Sequence, residues 1–265
     1  MIVKERRNKI KELLFKEHSV KVSDLVREFN VSEETIRRDL NQLEREGVLV
    51  KNYGGAVLVD ELHVAVNQIA PVQVRRFEHF EEKDAIGAKA ASLVEDGQIV
   101  ILDAGSTTWC AASHMKHLKD LTIVTNGINI AEECASSEDA KIFLLGGQLV
   151  KKSMSLVDPQ AESELQNYAA NVVFLGTSGI SIKKGFTSSD LYEAEMKRAM
   201  VGTAQKVVIL ADHTKFNRHA LISFSSFQDA DILITSEWTD DSVLKVIEQQ
   251  GVEVMVVPVG RERMP

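Results

Sequence analysis

The chain is poor in the features that would place it in several common classes. It has two cysteines in 265 residues, Cys110 and Cys134. Their spacing fits neither a disulfide framework nor a zinc knuckle, and both read as small buried hydrophobes. No apolar run approaches the ~20 residues that cross a bilayer. The start, Met1 to Arg7, leads into an amphipathic pattern without the apolar core of a signal peptide. A cytoplasmic protein is expected, with no membrane partner. Two nucleotide signatures are also missing. No Gly-Lys-Ser/Thr follows the glycine of the 103–108 loop, so there is no Walker loop, and the second and third glycines of a dinucleotide fingerprint are absent. His114 and His117 lie three apart on a helical pattern but lack a carboxylate partner in sequence, so no metal site is assigned.

What is present is a chain with 44% hydrophobic residues, enough for a sizeable core, and a net charge of −8. The charge is unevenly spread. Residues 1–58 carry twelve basic and ten acidic side chains, and the remainder nineteen basic and twenty-nine acidic. A mildly basic head on an acidic body lets the head approach phosphates while the body stays away from them.

Three helical patterns open the chain: about Val3–Glu17, Ser23–Phe29, and a third capped by Ser32 and ending at Gly47. Glu33 and Glu34 sit in the first turn of the third, where the helix dipole favours negative charge. Val48-Leu-Val and the run from Lys51 to Leu58 read as two short strands around a Gly-Gly turn, a β-wing. At 100° per residue, Ile36, Leu40 and Leu43 form the buried stripe of the third helix. Opposite lie Glu34, Arg38, Asn41 and Arg45, with Arg37 on the flank. Arg bonds guanine bidentately and Asn bonds adenine, so this strip suits a major groove, and the order of elements is that of a helix-turn-helix.

Residues 59–80 show no clean period and read as a linker, followed by a helix from about Glu81 to Val94. Beyond Asp96-Gly97, seven short β-rich runs alternate with helical patterns, beginning near 99, 122, 142, 172, 207, 232 and 254. Near-continuous apolar strands separated by helices imply a parallel sheet covered on both faces. The fold expected is a winged helix-turn-helix over 1–58 joined to a larger Rossmann-like α/β domain over 81–265. Ligands of such sheets bind beyond the carboxyl ends of the strands. There the loop from Asp103 through Gly105, Ser106, Thr107 and Thr108 into a helix offers free N–H groups, hydroxyls and a positive dipole end, an anion cradle. Lys215 stands at the same edge, and Gly146 and Gly147 permit close backbone approach.

The run from Val22 through Thr35-Ile-Arg-Arg-Asp-Leu to Tyr53-Gly-Gly-Ala closely resembles the DeoR family of bacterial transcriptional regulators. The body resembles that family's sensor domain at Asp84-Ala-Ile-Gly-Ala-Lys, Leu121-Thr-Ile-Val-Thr-Asn, Leu144-Leu-Gly-Gly-Gln, Glu193-Ala-Glu-Met-Lys-Arg and Leu210-Ala-Asp-His-Thr-Lys-Phe. That domain is similar in fold to ribose-5-phosphate isomerase. The resemblance implies DNA contact by Ser32, Glu34, Thr35, Arg37 and Arg38, joined by Asn41, Arg45 and the wing residues Lys51 and Tyr53, with Asp39 in a supporting role. It implies a phosphorylated sugar or related metabolite as effector, its phosphate on Gly105, Ser106, Thr107 and Thr108 with Lys215. Asp103, Asn126, Gly146, Gly147, Glu193 and Asp212 would line the rest.

Two positions depart from the family pattern: Ser178-Gly179 stands where Asp-Gly is common, and Val157-Asp158-Pro159 where Val-Gly-Pro is common. The missing carboxylate at 178 weakens the alternative of a sugar-phosphate isomerase carrying an accessory DNA-binding head, because acid/base chemistry needs placed carboxylates. The missing glycine fingerprint speaks against a nicotinamide-dependent enzyme. The reading is a regulator of a carbohydrate operon, most often a repressor in this family, with no catalytic residue and no cofactor. Its partners would be double-stranded operator DNA, a phosphorylated metabolite, and further copies of itself, since one short recognition helix has a small footprint.

Overall fold

The computed structural model describes residues 3–17, 19–45, 49–52, 55–58 and 70–260. Contacts divide the chain into two units, 1–78 and 79–265.

In the first unit, α1 (Val3–Glu17) leads through β1 (Ser19–Lys21) into α2 (Val22–Phe29) and α3 (Glu33–Arg45). The wing strands β2 (Leu49–Asn52) and β3 (Gly55–Leu58) follow, then one turn of helix, α4 (Val72–Arg75). Sequence reasoning missed β1, which pairs antiparallel with β3 to give a sheet in the order β1-β3-β2. The turn between α2 and α3 is made by Asn30, whose left-handed φ of 49° ends α2, a conformation asparagine tolerates better than most residues. The Ser32 hydroxyl then accepts from the Thr35 N–H at 3.3 Å, capping α3. Ile10, Leu14, Leu25, Ile36, Leu40, Leu43 and Leu49 fill the core. Within the stretch read as a linker, Ala70 and Val74 join the same core.

The second unit starts with α5 (Phe80–Ala91), β4 (Ile99–Leu102), α6 (Ser106–His114), β5 (Thr122–Thr125), α7 (Ile128–Cys134) and β6 (Lys141–Leu144). A hairpin of β7 (Gln148–Val150) and β8 (Ser155–Val157) precedes α8 (Pro159–Leu165) and β9 (Ala170–Gly176). Then come β10 (Gly179–Ser181), β11 (Gly185–Ser188), α9 (Leu191–Thr203), β12 (Ala204–Leu210), β13 (Ile222–Ser225), β14 (Ile232–Ser236), α10 (Asp241–Glu248) and β15 (Glu253–Val257).

Seven strands form one parallel sheet in the order β15-β14-β12-β9-β4-β5-β6. Its side chains alternate between two cores. Ile101, Val124, Val173, Leu175, Ile209 and Leu233 pack with residues of α8, α9 and α10. Val100, Leu102, Ile123, Phe174, Val208 and Ile234 pack with residues of α5, α6 and α7. The inner strands are therefore dry on both faces, which is why they read as unbroken apolar runs, while the edge strand β6 leaves Phe143 and Leu144 exposed. The chain winds from β4 outward to β6, returns to β9 on the other side of β4, and continues to β15. The sheet's switch point is thus the β4/β9 pair. Two small antiparallel pieces, β7-β8 and β10-β11-β13, sit outside the main sheet.

The family departure at 158 has a structural consequence. Asp158 holds φ at 144°, and its side chain caps α8 by accepting from Gln160 N at 2.9 Å and Ala161 N at 3.0 Å. It also accepts from Gln148 N at 3.1 Å. The carboxylate is thereby spent on the fold. Asp158→Ala keeps the unfavourable backbone and loses the cap, so it is expected to cost about 1–2 kcal/mol. Asp158→Gly loses the same bonds but relieves the backbone, and should denature near wild type. Urea midpoints of the two variants separate the contributions; equal losses would show that the backbone stores no strain.

Candidate DNA-reading helix and effector crevice

The third helix presents the surface its periodicity implied. Glu34, Arg37, Arg38 and Asn41 are exposed, while Ile36, Leu40 and Leu43 are buried. Ser32 and Thr35 share a hydroxyl contact of 2.9 Å at the helix start. Arg37 pairs with Glu33 and Arg38 with Glu34, each at 2.6 Å and one helical turn apart. Exposed pairs of this kind are worth only about 0.3–0.5 kcal/mol, so both guanidinium groups leave them at little cost. The Lys51 ammonium donates to Asn41 Oδ1 at 2.6 Å and pairs with Glu44 at 2.9 Å. Its hydrogen bond holds the Glu44 carboxyl below the usual carboxylate range. Wing strand β2 and helix α3 are thus tied by polar contacts as well as by the core. Tyr53, Gly47 and Gly54, and the side chain of Arg45, lie outside the described residues.

Asp39 lies at the centre of the head. It is 2% exposed and accepts from Arg6 Nε at 2.6 Å and Arg7 Nε at 2.8 Å. One carboxylate on α3 clamps two guanidinium groups of α1, fixing the angle at which α3 stands. The partners escape sequence reasoning because they lie more than thirty residues away.

In the second unit the residues converge at the β4/β9 switch point. Asp103, just beyond β4, is buried. It accepts from Gly105 N at 2.8 Å, Thr108 Oγ1 at 2.8 Å and Gly176 N at 3.0 Å. A Cβ on Gly105 would stand 2.9 Å from the Asp103 carboxylate and 3.0 Å from Thr108 Oγ1, so this tight turn excludes a side chain. Lys197 of α9 pairs with Asp103 and also donates to Gly176 O at 2.8 Å. Its ammonium lies 5.4 Å from the Phe224 ring centroid. Lys197 belongs to the Glu193-to-Met200 segment, yet sequence reasoning gave it no role. A lysine on a helical face reads as solvated until the fold sets it over a strand end.

Ser106, Thr107 and Thr108 open α6, all largely buried. Asn126 donates to Leu156 O at 3.1 Å, while its Oδ1 is buried without a hydrogen-bond partner. The same is true of Asn129 Oδ1, on a side chain reaching 3.5 Å from Ala104 O. Buried acceptors without donors are costly. Glu193 accepts from Ser155 at 3.2 Å, and Leu156 N–H donates to Asn126 O at 2.7 Å. Asp103, Asn126, Glu193 and the α6 N-terminus are thereby linked through β8 and α9.

Other proposed lining residues have different neighbours. Gly146 N–H donates to Glu164, and Gly147 (φ 120°) turns against Val157 and Asp158. Asp212 and Lys215 form a cluster beyond β12. Asp212 is fully buried, 3.8 Å from Lys83 and 3.7 Å from Lys215. Burial raises its carboxyl, but Lys215, Lys83, Thr214 and His79 outweigh that and bring it down to about 2. Nearby, burial lowers the His79 imidazole against the opposing pull of Asp212. Lys215 thus has a partner on its own loop, and the cation set against Asp103 is Lys197. Glu82, fully buried, holds this cluster to β14: it accepts from Ser236 Oγ at 2.5 Å and from His213 N at 2.7 Å. Among the described residues no helix is long and apolar enough to cross a membrane.

Two family models match the chain: a DeoR-like helix-turn-helix domain over residues 6–62 and a DeoR C-terminal sensor domain over residues 78–237. A Bacillus subtilis protein described as an uncharacterized HTH-type transcriptional regulator, YulB, is 34% identical over 98% of this chain and 99% of its own. A putative aga operon transcriptional repressor of Escherichia coli O157:H7 is 34% identical over 96% and 93%. The glycerol-3-phosphate regulon repressor of Escherichia coli K12 is 30% identical over 94% and 97%.

Proposed function

This chain belongs to the DeoR family of transcriptional regulators, and we propose that it represses a carbohydrate-metabolism operon by binding its operator as a homo-oligomer until a phosphorylated sugar or related metabolite occupies the crevice at β4/β9. The observation that carries the DNA-binding part is the exposed strip of α3, with Arg37, Arg38 and Asn41 open to solvent while the opposite strip is closed in the core. Ser32, Glu34 and Thr35 at the start of α3, with Lys51 on the wing, complete the surface that meets DNA.

For the effector, the α6 N-terminus supplies N–H groups and the hydroxyls of Ser106, Thr107 and Thr108 to a phosphate. Lys197 supplies positive charge beside it. The unpaired oxygens of Asn126 and Asn129, with Glu193, accept from hydroxyls of the carbon chain. The relatives that are repressors, one of them of a glycerol-3-phosphate regulon, support this class of ligand. Occupancy changes the population of arrangements available to the oligomer, and by linkage its affinity for a pseudo-palindromic site.

The test is fluorescence anisotropy on duplexes covering the region upstream of the chain's own gene. Wild type should bind one of them with an affinity that falls steeply with salt. Arg38→Ala should weaken that binding by about 1–3 kcal/mol, roughly 5- to 150-fold, if the contact is bidentate. Unchanged affinity removes Arg38 from the surface. In the same assay a panel of phosphorylated sugars should release the duplex where their unphosphorylated parents do not; release by the parents alone would overturn the phosphate assignment.

A further inference from the structure

The cluster beyond β12 holds a second, chemically different site. We propose that His79, Glu82 and His213 bind a divalent transition-metal cation, with zinc the best fit. One donor atom from each of the three lies within 4.8 Å of the others. His213 Nδ1 is 2.8 Å from Glu82 Oε2, and the rings of His79 and His213 meet edge to face with centroids 4.9 Å apart. Zinc takes imidazole nitrogen and carboxylate oxygen at about 2.0–2.2 Å, so donors in a tetrahedral shell stand roughly 3.3 Å apart. Small rotations of two side chains close that gap. Two imidazoles and one carboxylate are the donor set of an open zinc site, with the fourth position left to water or a ligand oxygen.

The surroundings are those of a supported site. The second oxygen of Glu82 is already fixed by Ser236 Oγ and His213 N–H, so the carboxylate cannot turn away. Metal-binding carboxylates are held by outer partners of this sort. His79 sits at the head of α5 with a left-handed φ of 50°, a costly backbone for a histidine, and that turn sets its ring against His213. The nearby ammonium groups of Lys83 and Lys215 are both set against Asp212, which tempers their repulsion of a cation. The cation takes the place of the proton that now lies between Nδ1 and Oε2, and the neutral His213 imidazole carries its proton on Nε2 instead. The site is separate from the phosphate-binding reading: it shares no residue with Asp103, Lys197 or α6.

The experiment uses the full-length protein, stripped with chelator and titrated with Co²⁺ and then Zn²⁺. The expected result is one equivalent of Co²⁺ giving the intense visible absorption of a tetrahedral site, bleached by one equivalent of Zn²⁺. His79→Ala removes a ring that is only partly covered and is expected to fold; it should bind at least about tenfold more weakly, as should Glu82→Gln, which keeps the buried shape. Far-ultraviolet circular dichroism verifies the fold of each. Equal Co²⁺ affinity and spectrum in wild type and a folded His79→Ala protein would overturn the proposal. So would failure of wild type to bind either metal up to about 1 mM, where binding free energy is only ~4 kcal/mol.

Discussion

Asp39→Ala is expected to unfold the DNA-reading unit while the α/β unit keeps its structure. The carboxylate is 2% exposed and is the shared acceptor for Arg6 and Arg7. Removing it leaves the Arg6 guanidinium, itself 8% exposed, without that counter-charge inside the fold. Breaking a buried pair by deleting one partner costs about 3–5 kcal/mol. A unit of fewer than eighty residues has little more stability than that to lose. The described cores are separate in composition: Ile10 to Val74 in one, Ile86 to Val257 in the others. Denaturant titration should therefore show one transition moving to low denaturant and the other staying in place, with operator binding lost. Wild-type DNA affinity in Asp39→Ala would mean that the clamp does not set the pose of α3. The outcome also separates Asp39 from its neighbour Arg38, whose replacement should cost affinity without stability.

Lys83→Met should have a comparable effect in the other unit. Lys83 is 2% exposed and faces the fully buried Asp212 across 3.8 Å. With the ammonium gone, Asp212 keeps Lys215, its largest lowering charge, but loses the next, so the burial that raises the carboxyl is offset less. The expected loss is again roughly 3–5 kcal/mol at pH 7. The pH dependence carries the sign. In wild type the folded carboxyl lies at about 2, below the ~3.9 of an unfolded chain. Its contribution to stability is therefore complete above about pH 4 and lost as pH falls toward 2. In Lys83→Met the folded value rises, so this part of the acid limb shrinks or inverts. Urea titrations at pH 7 and at about pH 3 read both effects. A variant with wild-type stability at both would show that Lys215 and Thr214 suffice to hold Asp212.

Much of the architecture was legible because its physics is local. All seven strands of the parallel sheet announce themselves as apolar runs, the inner ones because both faces are dry, and the edge strand β6 through Ile142, Phe143 and Leu144 although it is partly open to solvent. The exposed and buried strips of α3 follow from periodicity alone. The Ser32 cap follows from a residue type and a spacing. The pieces that were not legible depend on distance along the chain. Strand β1 is three residues long and exists because β3 lies beside it. β7, β8 and β10 are three residues long, and β11 and β13, though as long as β4, interrupt their apolar residues with Ser, Thr or Gly. In the crevice, Asp103 and the α6 turn were visible as a small polar loop after a strand. Lys197 was not, because a helical lysine is ordinary until a strand end ninety-four positions earlier meets it. The third-party contacts of Glu82 are hidden for the same reason: Ser236 lies 154 residues away. Asn129 gave no signal beyond being a polar residue near a helix start.

The winding of the large sheet has one further consequence. Every group assigned to the metabolite hangs on a segment beyond a strand end or on a helix facing it, while the strands keep one another in register through unbroken apolar pairing. Such a layout lets the loops vary one position at a time while the paired strands stay as they are. Asp158 marks the exception, a loop residue whose carboxylate caps a helix, so that an exchange there is felt by the frame as well.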